Sequence, residues 1–133
     1  MAGSVVHFEI PVDDGERAVG FYRSAFGWHL EQWGPLEYWT TEPTDGTGIG
    51  GALSKRGVSS PTLIVYISVD DVDAALAAVE AAGGRRLTER MPIPTVGWSA
   101  VFEDTEGNRV GLFQEDPTVP MPDMSAFGSQ PSE

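Results

Sequence analysis

Ile10-Pro11-Val12-Asp13-Asp14 and Ile67-Ser68-Val69-Asp70-Asp71 stand 57 residues apart, and the alignment runs on from them without a gap. Glu16 falls on Asp73, Ala18 on Ala75, Val19 on Leu76, Tyr22 on Val79, Ala25 on Ala82 and Gly27 on Gly84. The match lies in pattern more than identity, and such a period makes the chain a duplication before any single element is assigned. Within and before each quoted stretch the apolar residues alternate. Val6, Phe8 and Ile10 oppose Val5, His7 and Glu9, and Leu63, Val65, Ile67 and Val69 oppose Thr62, Ile64, Tyr66 and Ser68. A period of two is that of a half-buried strand. Asp13 and Asp70 then stand where helix N-caps are expected, each with an acid three residues later that suits a helix dipole.

Past those aspartates the period changes. Ala18, Phe21, Tyr22 and Ala25 share one helical face, as do Val72, Ala75, Leu76 and Val79, with Gly27 and Gly83-Gly84 as stop signals. Three short strands are predicted after each helix, over 28–33, 36–41 and 48–54, then over 85–91, 97–103 and 109–114. Turns fall at Gly34-Pro35, Asp45-Gly46, Met91-Pro92 and Glu106-Gly107-Asn108. The order is β-α-β-β-β twice: an α+β fold with repeats at about 4–54 and 61–114, forming one domain over 1–115. Residues 116–133, rich in proline, read as a C-terminal tail that Met121, Met124 and Phe127 can pin to the body or to a second subunit.

Composition sets limits on partners. Among 133 residues, 20 are Asp or Glu and 8 are Lys or Arg, a formal net charge of -12. Phosphate polyanions and anionic membrane surfaces are repelled by such a chain. The absence of cysteine removes disulfides, thiolate metal sites and thiol nucleophiles together. The N-terminus lacks the pattern of a signal peptide, and no apolar run approaches the ~18 residues of a membrane span. A cytoplasmic protein with neither nucleic acid nor membrane as partner is expected.

The duplicated unit, the strand-borne His7, the stretch Ala18-Val19-Gly20-Phe21-Tyr22-Arg23-Ser24-Ala25-Phe26-Gly27-Trp28 and the closing Gly107-Asn108-Arg109-Val110-Gly111-Leu112-Phe113-Gln114 resemble the vicinal oxygen chelate superfamily. Its members include glyoxalase I, extradiol dioxygenases, fosfomycin-modifying enzymes and bleomycin-binding proteins. The resemblance covers about residues 4 to 115 and implies curved mixed sheets that line a cup. It also implies four metal-ligand positions, on the first and last strand of each unit. Carried over one by one they are His7, Gly51, Ile64 and Gly111, of which only His7 can bind a cation. A divalent metal normally needs three or four protein ligands. The departure therefore argues against metal chemistry of the family type, and no cofactor is expected.

What remains is a cup with aromatic and polar candidates: His7, Glu9, Tyr38, Trp39, Ile64, Tyr66, Trp98, Arg109 and Phe113. Aromatic walls with a few polar groups suit a small organic ligand, bound for sequestration or for metal-independent chemistry. The same aromatics can instead plug the cup as core. An alternative is a metal-dependent lyase, isomerase or dioxygenase with a rearranged site around His7 and Glu9. The resemblance and the exposed sheet edges imply a homodimer.

Overall fold

The computed structural model describes residues 2–43, 45–57 and 61–121. Its elements are β1 (Val5–Val12), α1 (Gly15–Phe26), β2 (Glu31–Gln32), β3 (Tyr38–Thr41), β4 (Gly50–Lys55), β5 (Ile64–Ser68), α2 (Val72–Ala81), β6 (Arg85–Arg86), β7 (Met91–Ile93), β8 (Gly97–Glu103) and β9 (Arg109–Glu115). The strands form one mixed sheet in the order β2-β3-β4-β1-β5-β9-β8-β6, with β7 paired to β8. It is curled into a half-barrel.

The duplication is visible in the pairing. β1 runs parallel to β4, as β5 does to β9, and the two units join where β1 meets β5 antiparallel. Each unit has its own core on the helix side of the sheet. Val12, Val19, Leu30, Trp39 and Leu53 form one, and Val72, Leu76, Ala100, Phe102 and Leu112 the other. Alternation along each strand sends the remaining side chains to the opposite, concave face.

Several boundaries differ from the sequence expectation. Each helix is capped one residue later than expected: Asp14 accepts from the Arg17 N–H and Asp71 from the Ala74 N–H, both at 3.1 Å. Asp13 is drawn away by Arg56, whose Nε lies 2.8 Å from its carboxylate. The buried face of α1 is Gly15, Ala18, Val19 and Tyr22, while Phe21 is 57% exposed. Gly15 is there because the Trp39 ring lies where its Cβ would be. The helix stops at Gly27, with φ 73°.

Residues 28–30 form no strand, since Trp28 leaves the sheet to stack on Tyr22. Met91-Pro92 lies within β7 rather than in a turn, and the reversal falls between Ile93 and Gly97. Pro92 is tolerated because β7 is an edge strand. The segment after β9 is tied down as far as it is described. Asp116 N–H donates to the Val96 carbonyl, Thr95 N–H donates to Val119, and the Val119 side chain is buried. Met124 and Phe127 lie outside the described residues. No described helix is long and apolar enough to cross a membrane.

Candidate functional site

The β1–β5 seam decides which residues meet. Its register sets His7 opposite Tyr66 and Glu9 opposite Ile64, all four directed to the concave face. Next to them β3 and β4 bring Tyr38, paired with Ser54. The result is a four-residue polar cluster at the floor of the half-barrel. Tyr38 donates to Glu9 Oε2 at 2.7 Å and Tyr66 donates to Glu9 Oε1 at 3.2 Å. His7 Nε2 stands 3.2 Å from the Tyr38 hydroxyl and 3.5 Å from Glu9.

These distances set the directions of the tyrosine hydrogen bonds. An ionised carboxylate can only accept, so Tyr38 spends its one proton on Glu9 and its oxygen accepts from His7. In the tautomer protonated on Nε2, His7 donates to that oxygen and carries its lone pair on Nδ1. Glu9 itself is only 7% exposed. Burial, then the charge of Glu9 and the bond to it, push the hydroxyls of Tyr38 and Tyr66 far above the ordinary phenol range. Both tyrosines stay neutral donors.

The four expected metal positions fare unevenly. His7 faces the cup. Gly51 does not: it faces the helices, where the Phe8 ring covers it. The registers give the reason. Tyr66 pairs with Gly111 in the second unit, and its counterpart Glu9 pairs with Ala52 in the first, so Ala52 is the residue equivalent to Gly111. Ile64 is 1% exposed and Gly111 lies beneath the Tyr66 ring. His7, Ala52, Ile64 and Gly111 thus offer one nitrogen, and this donor set does not fit the family's metal. Among the described residues no three His, Asp or Glu side chains are grouped to hold an ion.

Two expected cup residues belong elsewhere. Trp39 is buried in the α1 core, and Trp98 packs on the α2 core with its indole N–H donated to Asp116 and Arg90 over its ring at 3.8 Å. Both are off by one in phase: Tyr38 and Ser99 hold the concave positions beside them. Phe113, aligned with Ser68 and Ser99, and Arg109, two residues before Gly111, lie on the concave face. His29 pairs with Glu31 in solvent, away from the cluster.

Two like units, β1-α1-β2-β3-β4 and β5-α2-β6-β7-β8-β9, the second with the strand expected over 85–91 split into β6 and β7, join through their first strands and carry a polar cluster at the seam; this defines a cupped-sheet protein of the glyoxalase type. The profile of the Glyoxalase/Bleomycin resistance protein/Dioxygenase superfamily matches residues 4–112, and the chain belongs to that superfamily. A glyoxylase-like domain-containing protein of Didymella fabae is 32% identical over 114 residues, 80% of this chain and 89% of that protein. Among solved structures, a superfamily member from Vibrio splendidus has a TM-score of 0.63 at 14% identity, covering 86% of this chain and 99% of its own. Streptomyces coelicolor methylmalonyl-CoA epimerase, in complex with 2-nitronate-propionyl-CoA, has a TM-score of 0.61 at 19% identity, covering 92% and 100%. At these identities the structures speak for the fold alone.

Proposed function

We propose that the protein binds a small organic molecule at the concave face without a metal ion, through the His7–Glu9–Tyr38–Tyr66 cluster. The observation that carries this reading is the Tyr66 ring lying over Gly111, with its hydroxyl tied to Glu9. The place of one metal ligand is filled by a neutral hydrogen-bonding aromatic, and Ile64 closes a second. Glu9 orients the two tyrosines, and His7 offers a lone pair on Nδ1. A ligand bearing both a donor and an acceptor beside an apolar body suits that set. The alternative of a rearranged metal centre draws on the closeness of His7 and Glu9. Two donors alone fall short of the usual coordination, and the tyrosines compete for the carboxylate.

The deciding experiment is a thermal-shift screen of a metabolite set on protein stripped with a chelator, then repeated with Zn, Mn, Ni and Fe(II). A ligand at a hundred times its dissociation constant adds ~2.7 kcal/mol. The expected result is stabilisation that survives chelation and is lost in His7→Ala. Stabilisation that requires a divalent ion overturns the reading. As parts of the same proposal the protein is cytoplasmic and dimeric. Sedimentation showing only the 14.3 kDa species at tens of micromolar counts against the dimer.

A further inference from the structure

On the helix side of the sheet, across β1 from the polar cluster, a cleft of about 250 Å³ opens between the end of α1 and the loop leading into β4. One wall is aromatic. Trp28 is its centre, stacked on Tyr22 at 4.6 Å and 14°, with Phe8 at 5.8 Å and Phe26 at 6.4 Å. Phe8 is held down by the bare backbone of Gly51 beneath it, so the wall is anchored to the sheet. Phe26 is 65% exposed, a large apolar surface left in water. Glu42 and Asp45 line the cleft, and among the described residues no Lys, Arg or His lines it. Thr47 gives both its N–H and its hydroxyl to Asp45, which holds that carboxyl below its usual range.

We propose that this cleft is a second ligand site, separate from the cup, and that it takes an organic cation: an ammonium group on a ring-sized apolar body. Aromatic faces attract a cation through their quadrupoles, Trp most strongly, and gain when the contact is shielded from water. The carboxylates supply the opposite charge, and the surplus of 20 acidic over 8 basic residues raises the local concentration of cations around the chain. The volume lies just under the roughly 300–1,000 Å³ of drug-sized pockets, which suits one substituted ring rather than an extended molecule. A neutral ring forgoes the charge, and an anion is repelled.

The test is an NMR titration of the full chain with benzyltrimethylammonium chloride, following the indole N–H of Trp28, assigned by Trp28→Phe. Benzyl alcohol serves as the neutral ring of similar size. The cation is expected to shift the Trp28 signal saturably with a Kd of about 1 mM or below. Affinity should fall about fivefold in Phe26→Ala and in the Glu42→Gln/Asp45→Asn double variant, and fall with added salt. His7→Ala should leave it unchanged. Phe26 is an exposed side chain and the carboxylates are surface groups, so these variants are expected to fold; retained Tm verifies it. Benzyl alcohol binding as tightly as the cation, affinity indifferent to the double variant, no saturation by about 10 mM, or loss of binding in His7→Ala each overturns the proposal. A failed metabolite screen at the cup leaves this site untouched, and the reverse holds.

Discussion

The ring of Tyr66 occupies the space a side chain at Gly111 would need: a Cβ built there would stand 2.8 Å from Tyr66 Cγ and nearer still to the ring edge. Strand β9 must present glycine there for Tyr66 to lie flat on it and reach Glu9. Gly111→Ala should lift the ring, strain the bond to Glu9 and cost about 1–3 kcal/mol by urea denaturation. In a Tyr66→Ala background the same substitution should cost much less, a coupling that a double-mutant cycle measures. Equal costs in both backgrounds would show that the ring is not what the glycine accommodates.

Alkaline pH gives a second prediction. Tyr38 and Tyr66 have folded pKa values raised above those of the unfolded chain, burial being the first cause and Glu9 the second. Below the unfolded value near 10 both states hold these protons and stability is indifferent to pH through them. Above it the unfolded chain releases protons that the folded one keeps, so stability falls as pH rises, by about 1.4 kcal/mol per pH unit for each tyrosine. Urea denaturation between about pH 9 and pH 11 should show the fall, and Tyr66→Phe should roughly halve the part these tyrosines contribute. Tyrosinate absorbance appearing from both residues near pH 10 in the folded protein would refute it.

The helix caps supply a third. Asp14 and Asp71, not the aspartates before them, accept the first-turn N–H groups. Asp14→Ala and Asp71→Ala should each cost about 1 kcal/mol. Asp70→Ala should cost a few tenths, and Asp13→Ala no more than about 1 kcal/mol, the ceiling of its exposed pair with Arg56. Chemical denaturation of the four single variants ranks them.

The fold was legible because duplication doubles every weak signal. The alternation in β1 is readable again in β5, and Val72, Ala75, Leu76 and Val79 pack as their spacing implies. In the other helix the same rule misplaced Phe21, because the small Gly15 rather than an aromatic faces the sheet, making room for Trp39. The site was half legible. His7, Glu9 and Tyr66 follow from strand phase and from the offset of 57, whereas the strand expected over 36–41 left open which of Tyr38 and Trp39 faces the cup. Ala52 was hidden by register: the distance between equivalent residues is 59 on the last strands, since the loops before them differ in length. Nothing local in a sequence reports how two strands slide past each other. Glu42 and Asp45 carry no motif at all, and their relation to Trp28 exists only after the chain has folded.

Phase along a strand separates the last pair of outcomes. Tyr38 and Trp39 are neighbours in sequence, yet one faces the polar cluster and the other the α1 core. Trp39→Ala should cost about 3–5 kcal/mol, the range for emptying a large aromatic from a core. Trp98→Phe, on the same side of the sheet as α2, should lose its bond to Asp116 and shift Tm modestly. Neither change removes a group from the concave face, so any ligand that stabilises the chelated protein should do so equally in Trp98→Phe. Tyr38→Phe should behave in the opposite way. It deletes a donor to a buried carboxylate, about 1.5–3 kcal/mol for a bond to a charged group, and frees the His7 Nε2 proton from its acceptor. The His7 tautomer should then become mixed, which the nitrogen chemical shifts of its ring report, and the ligand response should be lost. A ligand response that disappears in Trp98→Phe and persists in Tyr38→Phe would move the binding face to the other side of the sheet.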